Sequence, residues 1–338
     1  MGETVSLEPR SGIYEILDER FRIPANGDRR LELLFDGSRW CEGPVYVPAW
    51  RQVIFSDIPN DRMLRWDEAT GAVGEFRTGA GNSNGNALDR EGRLITCEQG
   101  NRRITRTEYD GSITVIADRY RGKRFNSPND VVVHSDGSIW FTDPIFGIIS
   151  DYEGHRGESE IGASNVYRVD PETGRVRVMA DGFGAPNGLS FSPDERQLLI
   201  ADTLAGQVRA YDVYDGQKLS DGTVFAEAPL TDSQFDSISF DDEGRVWVAA
   251  GAGGMHCYAP DATLIGRIVF PVGISNMCFG GPRNNRLFVT ASSTLYSLVV
   301  AVTGAPAIGN PGACLRVRSE HEVAAAATRW RMNVGTAS

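Results

Sequence analysis

Six oxygen-bearing side chains recur at matching points of a repeated sequence pattern. Each stands four residues before an apolar residue, and a turn signal and a second apolar run follow. Two of the six are carboxylates and none is a histidine, so together they offer the hard oxygen donors that Ca²⁺, Mg²⁺ and Mn²⁺ prefer. If the fold brings them together, they predict a site for one divalent cation. We name this set the axial ring: Glu42, Asn84, Asn129, Asn187, Asp236 and Ser275.

A second interpretation of the axial ring is that inner strands begin with polar residues because they face a water-filled channel. That interpretation accounts well for any single asparagine. It accounts poorly for Glu42 and Asp236 together, because two acids that face each other without basic partners need a counter-ion. We therefore favour the cation site.

The elements that carry the axial ring repeat at intervals of about 40 to 60 residues. Each copy opens with a β-hairpin, and further short strands with Asp-Gly or Thr-Gly turns follow it. Such a unit is typical of a four-stranded propeller blade. The sequence predicts an all-β fold, a six-bladed β-propeller with a divalent cation in its central channel. A pair of two-sheet β-sandwiches is the weaker alternative.

Two segments depart from this repeat. Ile145–Ser164, rich in glycine and charge, is either a tolerated surface insertion or a lid over the channel mouth. Beyond Thr303 the chain is rich in Gly and Pro, and Ser319–Arg331 is compatible with a short helix. We expect one propeller domain over residues 1–312 and a C-terminal tail over 313–338. Residues before Glu42 should add a strand to the final blade, which closes the circle and protects the sheet edges.

The composition limits the possible partners. The chain has 338 residues with a net charge of −11, which repels nucleic acid and anionic membranes, so we expect neither as a partner. No apolar run reaches the 18 or so residues of a membrane span, and no basic-then-apolar segment opens the chain. We expect a cytoplasmic protein, or a periplasmic one if a leader has been removed. The sequence does not indicate an oligomeric state.

Local metal and nucleophile motifs are missing from the sequence. The five cysteines and four histidines are scattered, without a C-x-x-C, H-x-H or H-E-x-x-H spacing. No Gly-x-Ser-x-Gly motif is present, so a serine hydrolase is not expected.

Four acids end the second strand of four copies: Asp57, Glu98, Asp143 and Asp202. We expect them to hydrogen-bond loop backbone between blades, with orientation of cation ligands as the minority alternative. A basic cluster precedes Asn129 and is expected to be a solvated loop: Arg119, Arg121, Lys123 and Arg124. His256 follows a glycine run and is more compatible with a structural role than with the site.

Several motifs resemble the SMP-30/gluconolactonase/luciferin-regenerating-enzyme family. They are EGP at Glu42, NSPND around Asn129, PNGLSFSPD from Pro186 and DSISFDDEGRVWVA from Asp236. The resemblance extends from about residue 30 to residue 300. The stretches SDIPN, TCEQGNRRITRTEYDG and SPNDVVVHSDGSIWFTDP are similar to the bacterial gluconolactonase branch in particular. The resemblance implies a six-bladed propeller with one divalent cation in its central channel.

The resemblance also implies roles for individual residues. Glu42, Asn187 and Asp236 would bind the cation, and Asn129 would contact cation or substrate. Ser237 stands where glycine is usual in the family, and Ser127 stands where the animal-type members carry an arginine. We therefore do not expect the animal type of sugar-hydroxyl recognition.

The activity implied is hydrolysis of a gluconolactone-type sugar lactone to the aldonic acid. A phosphotriesterase on the same cation, or a non-catalytic interaction propeller, is the alternative. In a lactonase, Ca²⁺ is the expected cation, with Zn²⁺, Mg²⁺ or Mn²⁺ also possible, and it would stabilise the oxyanion and acidify water. Asp236 is the candidate general base, and Asn84 and Asn129 are candidates to bind the small-molecule lactone.

Overall fold

The computed structural model describes residues 12–228 and 234–305 of the chain. Within these residues, six antiparallel sheets of four or five strands follow one another along the sequence. The innermost strand of each sheet contacts the innermost strand of the next, and the sixth contacts the first. The sheets therefore form a closed circle, and the prediction of a six-bladed β-propeller is confirmed.

The first four blades use strands that are consecutive in the chain. Blade one contains Cys41–Val47, Gln52–Asp57, Arg62–Asp67 and Val73–Thr78. Blade two contains Ser83–Leu88, Leu94–Glu98, Arg103–Thr107 and Ile113–Ala117. Blade three contains Val131–Val133, Ile139–Asp143, Ser164–Val169 and Val176–Phe183. Blade four contains Pro186–Phe191, Gln197–Asp202, Gln207–Tyr214 and Thr223–Glu227, with Lys218–Leu219 as a short extra strand.

The N-terminal segment completes the last two blades. Blade five contains Ile238–Phe240, Val246–Ala249, Met255–Tyr258 and Leu264–Ile268, and Tyr14–Ile16 adds a fifth strand at its outer edge. Blade six contains Asn276–Gly280, Arg286–Ala291 and Thr294–Val299, and its outermost strand is Glu32–Asp36. The circle is thus closed by a strand from before Glu42, as predicted. The extra strand on blade five was not predicted.

Helical structure is sparse in the described part of the chain. One α-helix, Phe146–Ile149, lies in the insertion between the second and third strands of blade three. Three short 3₁₀ turns cover Glu19–Phe21, Pro24–Asn26 and Ile58–Asn60. None of the helices in the described ranges has the length and apolar character needed to cross a membrane. The predicted tail over residues 313–338, with its helix at Ser319–Arg331, lies outside the described residues.

The core lies between neighbouring blades, because successive side chains of a strand point to opposite faces of its sheet. The second strand of blade one shows this alternation. Val53 and Phe55 pack toward Phe288 of blade six, whereas Ile54 between them packs toward Leu94 of blade two. Both faces of the sheet are therefore buried, and this packing fixes the inner strands whose ends carry the axial ring.

Candidate functional site

Backbone hydrogen bonds connect the axial ring from blade to blade. The Gly85 N–H donates to the carbonyl of Asn129 at 2.7 Å, and the Gly188 N–H donates to the carbonyl of Asp236 at 3.0 Å. The Ser237 N–H donates to the carbonyl of Ser275 at 3.2 Å. These bonds join blades two to three, four to five and five to six, so the ring residues lie at one end of the channel.

The strands that carry three ring residues are irregular where those residues stand. The register between the first and second strands shifts after Glu42 in blade one. It also shifts around Asn84 in blade two and around Asn187 in blade four. Such bulges redirect side chains and are common next to active sites. A glycine follows each of the three residues, which explains the EGP and NG motifs of the sequence.

The glycines also permit a close approach between blades. A side chain at Gly43, where φ is +52°, would overlap the carbonyl oxygen of Asn84. A side chain at Gly188 would overlap the carbonyl oxygen of Asp236 in the same way. Only glycine leaves room for the neighbouring backbone here, and at Gly43 it also adopts the left-handed conformation without strain.

Glu42 is a buried acid with only 4% of its surface exposed. The N–H of Gly43 donates to its Oε2 at 3.2 Å, and the side chains of Ser275 and Asn276 hydrogen-bond the carboxylate. These contacts favour the ionised form, but burial outweighs them, and the negative charge of Glu153 adds to its effect. The pKa of Glu42 is raised to about 7.

Asp236 has an even stronger preference for the protonated form. Burial raises the pKa of this carboxyl well above its usual range, and the charges of Glu42, Asp130 and Glu153 raise it further. The side chain of Asn187 opposes this shift in part. No ion pair among the described residues includes Glu42 or Asp236. The site therefore brings together two buried carboxyl groups that ionise only at a cost, because no basic side chain of the described chain pairs with them.

The asparagines supply neutral oxygens around this charge. The Asn187 amide nitrogen donates to the Thr203 hydroxyl at 3.0 Å, and that hydroxyl donates to the carbonyl of Phe235 at 2.7 Å. This chain orients the amide of Asn187. The side chains of Asn84 and Asn129 are largely buried but have no hydrogen-bond partner among the described residues. Both amides are therefore available to a ligand in the channel.

Ser275 differs from the other members of the axial ring. Its hydroxyl lies 3.1 Å from the carbonyl of Cys41 and 3.3 Å from the carbonyl of Thr290, so it links blade six to blade one. The next residue, Asn276, also contacts the Glu42 carboxylate. Ser275 therefore contributes to closing the ring as well as to solvating Glu42.

The donor set fits a hard divalent cation. No three or more His, Cys, Asp and Glu side chains of the described ranges are grouped closely enough to hold an ion by themselves. Two carboxylates with amide oxygens from Asn129 and Asn187 give instead the mixed, all-oxygen environment that suits Ca²⁺. The unpaired negative charge of Glu42 and Asp236 is what such an ion would neutralise.

Asp130 and Glu153 belong to the site but were not predicted. Asp130 follows Asn129 directly, accepts the N–H of Val131 at 2.9 Å and that of Leu189 at 3.4 Å, and so bridges blades three and four. Burial raises the pKa of Asp130 to about 7. Its place in the PND motif was the available signal. Glu153 lies in the insertion, where the repeat pattern gives no register.

The four acids at the ends of second strands have structural roles. Asp143 accepts two backbone N–H bonds, both at 2.9 Å, from the loop that leads to Asn129. Asp57 and Asp202 accept backbone N–H groups of neighbouring loops in the same way. Glu98 instead accepts side-chain donors from its own blade. The expectation of loop-backbone bonding is confirmed for three of the four, and Glu98 is the exception.

The basic cluster and His256 were also expected to be structural. The basic cluster forms a small ribbon in which Arg119–Tyr120 pairs with Lys123–Arg124, and most of it is exposed. His256 is fully buried beside the rings of Phe235 and Tyr258, and burial lowers its pKa to about 4. The histidine is therefore neutral and packs in the core.

The fold and the site together define a class of protein, a six-bladed β-propeller with an acidic, oxygen-lined site on its axis. Residues 40–293 match the family model for the SMP-30/Gluconolactonase/LRE-like region. The chain belongs to this family, as its motifs predicted.

Individual relatives agree with this assignment. The chain is 29% identical to the gluconolactonase of Zymomonas mobilis over 289 residues, 78% of this chain and 79% of that protein. It is 29% identical to the pentonolactonase of Haloferax volcanii over 297 residues, 79% of this chain and 93% of the relative. The solved structure of a gluconolactonase from Xanthomonas campestris superposes with a TM-score of 0.81 at 35% identity, covering 89% of this chain and 97% of that one.

Proposed function

We propose that this protein is a cation-dependent lactonase that opens a gluconolactone-type sugar lactone to the aldonic acid. The observation that carries the proposal is the pair of buried carboxylates, Glu42 and Asp236, without a basic partner in the described chain. The similarity to a gluconolactonase and a pentonolactonase supports the lactone as the substrate class.

Glu42, Asn187 and Asp236 would hold the cation, with Asn129 as a further ligand or a substrate contact. Ca²⁺ is the first candidate, because all donors are oxygens and two are carboxylates, and Zn²⁺, Mg²⁺ and Mn²⁺ remain alternatives. When bound, the cation would polarise the lactone carbonyl and lower the pKa of a water molecule.

Asp236 would accept the proton of the attacking water. A general base has to lie beside the water and to be ionised at the working pH, and a cation held by Glu42, Asn187 and Asp236 would favour that ionised form. Asn84 and Asn129 would donate their amide N–H groups to the ring oxygen or to hydroxyls of the lactone, since both amides lack partners among the described residues.

The substrate class is tested by a panel that includes the main alternative. The purified protein with 1 mM CaCl₂ is given glucono-δ-lactone, a pentono-γ-lactone and the phosphotriester paraoxon, and acid release is followed by a pH indicator. We expect the sugar lactones to be hydrolysed with a kcat/KM at least about 100-fold above that for the triester. A preference for the triester would assign the phosphotriesterase activity instead. If the protein accelerates neither reaction, the enzymatic proposal is wrong.

A further inference from the structure

The insertion between the second and third strands of blade three lies against the axial end of the disc. We name residues 145–163 the strap. Ser127 fixes its start, because its hydroxyl donates to the carbonyl of Pro144 at 2.6 Å and accepts the N–H of Gly147 at 3.0 Å. Ser127 is two residues before Asn129, so the strap is anchored next to the axial ring.

Two glycines allow the strap to fold back on itself. A Cβ at Gly147 would lie 2.8 Å from the Cβ atoms of both Gln99 and Ser127. A side chain at Gly154 would overlap the carbonyl oxygen of Gly147, and the N–H of His155 donates to that same oxygen at 3.0 Å. The strap is therefore packed tightly onto blades two and three.

The far end of the strap reaches blade one. The Tyr152 hydroxyl donates to the carbonyl of Arg39 at 3.4 Å, and the guanidinium of Arg39 lies 5.4 Å from the centre of the Tyr152 ring. Arg39 precedes the strand of Glu42 by two residues. Because the strap starts on blade three and contacts blade one, it crosses over blade two. Of the two interpretations of the insertion, these contacts favour the lid over the channel mouth.

Glu153 lies between Tyr152, which contacts blade one, and Gly154, which packs against Gly147. Its side chain is partly buried and has no ion-pair partner among the described residues. The contacts of the strap with Ser127 and Arg39 hold it over the end of the channel that carries the axial ring. The charge of Glu153 raises the pKa of both the Glu42 and the Asp236 carboxyls. Glu158 and Glu160, on the same strap, are exposed. Glu153 is thus the acid that the strap brings to the axial site.

The charge balance of the site indicates what kind of group the Glu153 carboxylate binds. One divalent cation compensates two carboxylates, those of Glu42 and Asp236. Asp130 already accepts two backbone N–H groups. Glu153 is the remaining carboxylate, and a partly buried carboxylate without a cation needs hydrogen-bond donors. A sugar lactone carries several hydroxyl donors on its ring, whereas an unsubstituted lactone carries none.

We propose that Glu153 binds hydroxyl groups of the substrate and makes the site specific for polyhydroxylated lactones. The inference rests on the proposed lactonase function. Glu153 would act on specificity and neither hold the cation nor remove the proton from water.

The test compares Glu153→Gln and Glu153→Ala with Glu158→Gln, which removes an exposed charge from the same strap. Kinetics with 1 mM CaCl₂ use glucono-δ-lactone and δ-valerolactone, which lacks hydroxyls. We expect kcat/KM for gluconolactone to fall about 10- to 100-fold in both Glu153 variants, mainly through KM, because charge-assisted hydrogen bonds are lost. We expect kcat/KM for δ-valerolactone to change less than about twofold in the Glu153 variants. The kcat/KM values of Glu158→Gln should match those of the wild type for both lactones.

A second readout does not need turnover. Calorimetry with the non-hydrolysed glucono-δ-lactam should show weaker binding to both Glu153 variants, while their Ca²⁺ affinity stays within about threefold of wild type. An equal loss on both lactones, unchanged lactam binding, or a Ca²⁺ affinity lowered more than about tenfold would each overturn the assignment. If the wild type hydrolyses no lactone, the proposed function fails, and lactam binding still decides the role of Glu153.

Discussion

Glu42 is the second residue of the innermost strand of blade one, Asp236 lies two residues before the innermost strand of blade five, and the charge of Glu42 raises the pKa of the Asp236 carboxyl. Blade six separates the two blades, and its Ser275 and Asn276 hydrogen-bond the Glu42 carboxylate from there. The fold therefore holds two like charges near each other, at an energetic cost that a bound divalent cation would remove.

The first prediction separates the roles of these two acids. Asp236→Asn keeps an oxygen for the cation but removes the proton acceptor, so kcat for gluconolactone should fall about 10²- to 10⁴-fold at saturating Ca²⁺. Glu42→Gln should weaken Ca²⁺ binding first and recover part of its activity when Ca²⁺ is added. Asp181→Asn, which changes an exposed acid, is the matched control. A Ca²⁺-loaded Asp236→Asn protein with nearly full activity would refute the assignment of Asp236 as the base.

The second prediction concerns stability against pH in the presence of a chelator. The folded-state pKa of Glu42 is raised to about 7, so the folded protein binds a proton that the unfolded chain releases near pH 4.5. Stability from this group is complete below pH 4.5 and is lost as the pH rises through 7. The pKa of Asp236 is raised as well, so this group contributes to stability in the same direction. Urea unfolding in EDTA should therefore give a lower free energy of unfolding at pH 8 than at pH 5.5.

Glu42→Gln supplies the comparison for this pH effect. This variant should reduce the decline of the unfolding free energy with pH by up to about 1.4 kcal/mol per pH unit, which is the contribution of one titrating group. Saturating Ca²⁺ should flatten the decline for the wild type as well, because the ion stabilises both carboxylates in the ionised form. Stability in EDTA that rises steadily from pH 5.5 to pH 8 would contradict the buried acid pair.

The third prediction concerns the contact between blades four and five. Gly188→Ala places a methyl group on the carbonyl oxygen of Asp236, so we expect a loss of about 1 to 3 kcal/mol in the free energy of unfolding and weaker Ca²⁺ binding. Gly74→Ala is the matched control, since a Cβ there meets nothing within 4 Å. Equal unfolding midpoints for the two variants in urea would show that the blades do not approach as closely as described.

The fourth prediction concerns how Asn187 is oriented. Thr203→Val removes a hydroxyl that accepts a hydrogen bond from the Asn187 amide nitrogen and donates one to the carbonyl of Phe235. Ca²⁺ affinity, measured by calorimetry, should fall about 10- to 100-fold, as for the loss of other groups that orient a ligand. Thr173→Val, on an exposed turn, should leave it unchanged. An affinity equal to wild type in Thr203→Val would mean that Asn187 is not a ligand, or that it needs no support.

The repeated part of the molecule was predictable from the sequence, and the unrepeated part was not. Equivalent positions of repeated blades fall on one circle, so the repeat spacing from Glu42 to Ser275 was enough to predict that these residues share one end of the channel. Asp130 was missed because side chains alternate along a strand, and a neighbour of Asn129 is expected to point away. It takes part because its carboxylate bridges to Leu189 of the next blade.

Glu153 and the strand Tyr14–Ile16 were missed for a different reason. The strap has no repeat register, and its position depends on the contact between Tyr152 and Arg39, two residues far apart in the sequence. Tyr14–Ile16 is three residues long and pairs with Leu264–Ile268 at the other end of the chain. Contacts of this kind are set by tertiary packing and leave no local pattern.

The central claim is that a divalent cation held by Glu42, Asn187 and Asp236 is required for lactone hydrolysis. The most direct measurement follows acid release from glucono-δ-lactone with metal-stripped protein in excess EDTA, and then after stepwise addition of Ca²⁺, Mn²⁺ or Zn²⁺. We predict that the stripped protein shows only the spontaneous rate and that the ions restore activity to different extents, because their power to activate water differs. Full enzymatic activity in excess chelator would contradict the account.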